Sequence, residues 1–185
     1  MAEQRNLRVR CEFQQYGAAR PLPFGEAEFD GVFSNDVLCH IPGRQALLRE
    51  IARILKPGGR LLFSDALVIG GMISHEEIAT RSSIGNYFFS PPGENERLIQ
   101  EAHLRLIFAR DTSEAAALIS QRWHDARERR RTELVKIEGE ANFEGLQRFL
   151  ETVHRLNSER RLLRFLYLTE KQLQQTTAGI NPKEL

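Results

Sequence analysis

Apolar positions along this chain of 185 residues switch between alternating and helical spacing, and the switches lay out its elements. Leu7-Arg8-Val9-Arg10-Cys11-Glu12-Phe13 alternates, which predicts a short strand. Gly17 to Gly25, with Pro21 and Pro23, reads as a loop, because proline fits neither a helix interior nor a central strand. Phe29 to Ser34 predicts a second strand. Pro42-Gly43 opens a helix through about Leu55, with Leu47, Leu48, Ile51, Ile54 and Leu55 on one face. Lys56-Pro57-Gly58-Gly59 stops that helix, and Arg60 to Asp65 predicts a third strand. Ser74-His75-Glu76-Glu77 caps a helix to about Ile84, and Glu94 to Ala102 forms another. Leu104 to Ala109 predicts a strand, Asp111 to Glu114 caps a long helix through about Ile137, and Phe143 to Leu156 marks a further amphipathic helix. Arg161 to Thr169 suits a final strand by its Leu, Phe and Tyr content. Strands separated by helices of this length predict an α/β sheet with parallel neighbours, the last two strands bracketing an inserted helical pair.

Composition changes this picture little. A net charge of +1 gives no global attraction to nucleic acid or to an acidic membrane, and 41% hydrophobic with 28% charged residues suits a globular domain. Two cysteines, Cys11 and Cys39, form neither a disulfide framework nor a metal-ligand pattern, which suits a reducing cytoplasm. No secretory leader and no membrane span are expected, so the location expected is cytoplasmic.

Ligands of open α/β sheets sit beyond the carboxyl ends of the strands. Three such ends are readable: Gln15 to Ala18, Ser34-Asn35-Asp36 and Ser64-Asp65-Ala66. Asp36 and His40 stand four apart on a segment expected to be helical and would share a face. A carboxylate beside an imidazole raises its basicity, as a proton acceptor requires. Spacing alone favours the plainer alternative, a capping aspartate and a histidine packed near the sheet edge. The basic run Arg127 to Arg131 reads as a solvated helix face, and Tyr87, Phe88 and Phe89 as either an aromatic wall or core. Cys39 shows no activating partner in sequence.

Two linked segments carry a family resemblance: Phe29-Asp30-Gly31-Val32-Phe33-Ser34-Asn35-Asp36-Val37-Leu38-Cys39-His40-Ile41 and Leu55-Lys56-Pro57-Gly58-Gly59-Arg60-Leu61-Leu62-Phe63-Ser64-Asp65. With Phe13 to Phe24 upstream, they resemble the stretch from third to fifth strand of class I S-adenosylmethionine-dependent methyltransferases, in the sarcosine/dimethylglycine and phosphoethanolamine N-methyltransferase branch. The resemblance implies a Rossmann-like α/β methyltransferase sheet with a helical insertion before the last strand. It implies methyl transfer from S-adenosylmethionine to a small-molecule acceptor, an amine. It assigns Asp36 to positioning, His40 to orienting the substrate or taking its proton, and Gly17, Ala18, Ser34 and Asn35 to the adenosyl end of the cofactor pocket. No metal site is implied.

Three departures accompany the match. No glycine-rich Gly-x-Gly-x-x-Gly loop occurs, Gly17 follows Tyr16 where the family has an aspartate for adenine, and Glu101-Ala102-His103-Leu104 replaces a glycine-aromatic turn. The expectation is therefore an N-terminally truncated domain over residues 1–171, with an insertion at about 112–158 and a loose tail over 172–185. The Phe29 to Ser34 strand would then keep an open edge, offered to a second copy or a complementing chain. A non-catalytic remnant serving as a binding or oligomerisation module is the competing class.

Overall fold

The computed structural model describes residues 11–15, 17 and 21–173. Four strands form one sheet in the order β1-β2-β4-β3: β1 (Phe29–Ser34), β2 (Leu55–Ile69), β3 (Leu104–Asp111) and β4 (Leu162–Lys171). The helices are α1 (Arg44–Ile54), α2 (His75–Arg81), α3 (Glu94–Glu101), α4 (Ser113–Arg129), α5 (Arg131–Glu138) and α6 (Glu140–Ser158), with a 3-10 turn at Leu38–His40. The strand expected over 7–13 lies mostly outside the described residues, and Cys11 to Phe13 carry no strand. The tail expected over 172–185 lies outside them from residue 174 onward.

Helix α1 forms where the helical spacing placed it, and Leu47, Leu48 and Ile51 of its buried face pack with Leu61, Phe63 and Tyr167 of the sheet. It ends as expected before Lys56-Pro57-Gly58-Gly59, but those residues already belong to β2. Between the pairs Phe29–Leu55 and Gly31–Arg60, β1 advances two residues while β2 advances five, so the Pro-Gly-Gly turn is a bulge inside the strand. Gly58 has φ +77°, and a Cβ on Gly59 would lie 2.8 Å from the Lys56 carbonyl oxygen, so both positions demand glycine.

The expectation of parallel neighbours is corrected. Only β1 and β2 are parallel; β2 with β4 and β3 with β4 are antiparallel. The reason lies in the insertion. Asp111 at the end of β3 pairs with Phe165 near the start of β4, so α4 to α6 leave and re-enter at one end of the sheet. Ile69 at the end of β2 pairs with Leu162, which puts this insertion at the carboxyl ends of β1 and β2.

The long helix expected through Ile137 breaks at Arg130, where φ is −112° and ψ 21°. The break places Arg127 and Arg131 around Phe143, their guanidinium carbons 5.0 and 4.8 Å from its ring centroid. Arg127 pairs with Glu138, and Arg131 with Glu128, Glu140 and Glu144. The basic run knits the helices together. No helix among the described residues is long and apolar enough to cross a membrane.

Candidate functional site

The site begins where β1 runs out. Ser34 ends the strand, and Asp36 takes a left-handed φ of 52°, which turns the chain out of the sheet before the 3-10 turn. Ser64 of β2 fixes that turn: its Oγ accepts from the Asp36 N–H at 2.9 Å and lies 2.7 Å from Asp36 Oδ1 and 3.0 Å from Asn35 Oδ1. From β4, Arg164 reaches the same residues. Its Nε lies 3.2 Å from both carboxylate oxygens of Asp36, its Nη2 3.1 Å from Oδ2, and that Nη2 also donates to Asn35 Oδ1 at 3.0 Å. Thr112 holds the other arm of the fork, accepting from Arg164 Nη1 at 3.2 Å. Residues 128 apart in sequence thus meet in one forked charge pair.

Above this floor lies a cavity of about 370 Å³. Its walls come from Ala66, Ile119, Trp123, Phe149, Leu150 and Val153, and its polar lining includes Asn35, Asp36, Arg81, Asn157 and Arg164. A bulge in β2 between Asp65 and Val68 turns Ala66 toward it. The insertion helices α4 and α6 supply Ile119 and Trp123, and Phe149, Leu150 and Val153, to these walls.

The structure does not bring Asp36 and His40 together on one helical face. Asp36 precedes the 3-10 turn in a left-handed conformation, and its carboxylate is committed to Ser64 and Arg164. His40 lines a separate cavity of about 410 Å³ with Pro42, Ser82, Gly85 and Asn86. There Nδ1 lies 2.8 Å from the Asn86 carbonyl, and the ring packs on Tyr87 at 4.4 Å between centroids. A carbonyl only accepts, so Nδ1 is the donor in this contact, and in the neutral ring Nε2 keeps the lone pair.

Gly17 is exposed, with open space around the position of a Cβ, and Asn35 is exposed at the strand end. Ala18 lies outside the described residues. Asp65 is not a strand-end ligand group: β2 continues past it, and the carboxylate is buried at 0% exposure. Its Oδ2 accepts from Arg44 Nη1 at 2.8 Å and Asn95 Nδ2 at 2.9 Å, and Oδ1 takes the Leu67 N–H of the bulge at 2.9 Å. Arg44 further reaches Ser90, Asn95 Oδ1 and the Phe88 carbonyl. Burial pushes the Cys39 thiol up to about 11, with Asp65 and Asp36 adding to the effect, so it stays protonated at neutral pH. No cluster of metal-ligating side chains occurs among the described residues.

Sequence reading missed Arg81, Arg164 and Asn157. Arg164 sits in an apolar strand segment with no spacing relation to Asp36, and Arg81 looks like an ordinary basic residue in the last turn of a helix.

Residues 1–63 match the Methyltransferase domain family model. Methyltransferase GfsG of Streptomyces halstedii is 32% identical over 102 residues, covering 52% of this chain and 36% of that protein. The chain spans 36% to 46% of the length of the first curated relatives it matches, and O-methyltransferases are among them. A candidate sarcosine dimethylglycine methyltransferase from Galdieria sulphuraria superposes with a TM-score of 0.81 at 17% identity, over 92% of this chain and 63% of that one. Phosphoethanolamine N-methyltransferase 2 of Haemonchus contortus, solved with S-adenosylhomocysteine, gives 0.74 at 20% identity, over 81% and 35%. The chain therefore carries a methyltransferase-domain segment at its start and, over its described length, the fold of the S-adenosylmethionine-dependent methyltransferases.

Proposed function

We propose that this chain forms the acceptor side of an S-adenosylmethionine-dependent methyltransferase whose substrate is a small molecule with an amine as methyl acceptor. One observation carries the reading: a cavity of small-molecule size, floored by the Asp36–Arg164 pair, opens at the carboxyl ends of parallel strands under an insertion. The amine is the acceptor that the sequence resemblance implies; the O-methyltransferases among the curated relatives make an alcohol the competing acceptor.

The residues present suit an adenosyl cofactor in their chemistry. Ser34 and Asn35 offer neutral polar groups at the strand end, and the open space at Gly17 admits close approach of a ligand. Gly17, Ala18, Ser34 and Asn35 would hold its adenosyl end. Bound there, the cofactor supplies an electrophilic methyl group on a sulfonium, and transfer is then an in-line displacement governed by alignment. Asp36, locked by Arg164 and Ser64, keeps the crevice floor rigid. An ammonium must lose its proton before its lone pair can attack, and His40, which lines the neighbouring cavity beyond Arg81, would take that proton from an acceptor that reaches across to it.

Calorimetric titration with S-adenosylmethionine tests the reading, with micromolar binding expected. Absence of heat overturns it for this chain. Labelled-methyl transfer to matched amines and alcohols then separates nitrogen from oxygen acceptors. His40→Ala is expected to lower turnover by about 100-fold; unchanged turnover removes His40 from the mechanism.

A second reading, a binding or oligomerisation module, is favoured by the edge of β1. Among the described residues β1 pairs only with β2, and Phe33 on it is 69% exposed. A dimer by light scattering without cofactor binding supports that reading.

A further inference from the structure

Helix α4 buries its small residues and leaves its large apolar ones open. Ala117 and Ser120 are 5% and 7% exposed, and the Ala117 carbonyl accepts from His154 Nδ1 of α6 at 3.0 Å. Ile119 and Trp123, by contrast, are 51% and 64% exposed. An amphipathic helix ordinarily does the reverse and turns its bulkiest apolar side chains inward. Ile119 and Trp123 stand four apart, so they share one face of α4, and both line the cavity over Asp36 together with Val153 of α6. The start of α4 is tied to the floor of that cavity, where Thr112 accepts from Arg164. From there Ala116, Ile119 and Trp123 climb away over about 10 Å of helix axis, small next to the floor and large towards the far end.

The floor gives an acceptor little charge to hold. Asp36 is the one acidic residue of the lining, and Arg164 already pairs with it. What the cavity offers beyond that pair is apolar surface left in contact with water, and a concave apolar wall of small-molecule size calls for a ligand body rather than a flat protein face.

We propose that Ile119 and Trp123 are specificity-determining residues, which select the acceptor by a planar apolar body such as an aromatic ring carried beside the methylated group. The body lies along the α4 stripe, and the methylated nitrogen or oxygen rests at the floor beside Asn35 and Asp36. Covering the two side chains removes apolar area that the fold alone leaves wet, which is the source of the affinity. The inference rests on the methyl-transfer reading only in calling the ligand an acceptor; the selectivity rests on α4.

Trp123 is the sole tryptophan of the chain, so its emission reports whether its own ring becomes covered. The chain is titrated with phenethylamine, 2-phenylethanol and ethanolamine at one pH and ionic strength. Saturable binding of an aromatic probe is expected, at least about tenfold tighter than that of ethanolamine, with the emission moving to shorter wavelength. Either aromatic probe suffices, because the ring is common to both. Calorimetry then follows the variants: Trp123→Gln, which keeps a good helix former at an exposed position, is expected to weaken the aromatic probe about tenfold, and Ile119→Ala about threefold. No saturation by either aromatic probe, equal binding of ethanolamine, or unchanged affinity in Trp123→Gln would overturn the selectivity. If Trp123→Gln does not fold, Ile119→Ala decides. Separate titration with S-adenosylmethionine keeps the two ideas apart: aromatic binding without cofactor binding leaves the apolar site and removes methyl transfer, and the converse removes only the selectivity.

Discussion

Arg44 and Arg81 are buried to the same degree, at 7% and 6% exposure, and their surroundings treat them in opposite ways. Arg44 joins α1 to β2 and to the segment ahead of α3, meeting Asp65, Ser90, Asn95 and the Phe88 carbonyl. Every group in that knot answers another, so the charge is neutralised and the fork filled. Arg81, at the end of α2, meets only the faces of two rings. Burial alone therefore does not tell how an arginine is held; the state of its partners does. The first ties elements of the fold, and the second faces a cavity.

The largest expected effect separates the two at once. Arg44→Met strands Asp65, which is fully buried, and removing one partner of such a pair costs about 3–5 kcal/mol. Urea denaturation should show that loss as a lower midpoint with an unchanged slope. A loss below about 1 kcal/mol would mean that the knot around Asp65 is not what holds β2 to α1 and α3.

The contrast also marks what the sequence could tell. Helix α1, the capping box at Ser74 and the starts of β1, β3 and β4 were legible because helical spacing, alternation and cap chemistry are local. The direction of β4 was not, since it depends on which end of the sheet receives the insertion. Asp36 and His40 were found by their spacing, yet that spacing implied a helix that the left-handed Asp36 does not join. Arg164 and Arg81 were invisible for one reason: what distinguishes them is the presence or absence of a partner brought from a distant element. Asp65 misled in the opposite sense, because a polar residue near a strand end looks like a ligand group until the strand is seen to continue past it.

A third arginine sharpens the comparison at lower cost. Arg161 is answered by Glu77, which also closes the capping box of α2 through the Ser74 N–H at 2.9 Å. Ser74→Ala removes half of that box and should cost about 1 kcal/mol. The hydrogen bonds from Arg161, then from the Ser74 backbone, hold the Glu77 carboxyl down to about 2, against 4.5 for an ordinary glutamate. A carboxyl whose folded value is depressed stabilises the fold above its unfolded value and loses that contribution as pH falls through the folded one. Stability should therefore decline between about pH 4.5 and pH 2, and Glu77→Gln should flatten that part of the profile. A variant profile parallel to that of the wild type would place the acid sensitivity elsewhere.

The smallest effect is the most telling. Arg81→Met removes a buried charge that no acceptor answers, and a donor left unsatisfied costs about 1–3 kcal/mol. It also removes two ring contacts worth about 0.5–2 kcal/mol each. These terms oppose each other, and methionine fills much of the vacated volume, so the net change in unfolding free energy should stay within about 1 kcal/mol. The same substitution at Arg44 should cost several times more. Should Arg81→Met prove as damaging as Arg44→Met, Arg81 would be a structural residue held by its rings, and the difference between the two arginines would lie only in which partners they use. Should it leave stability intact, the gain from the two rings and the cost of burying an unanswered charge nearly cancel at this position.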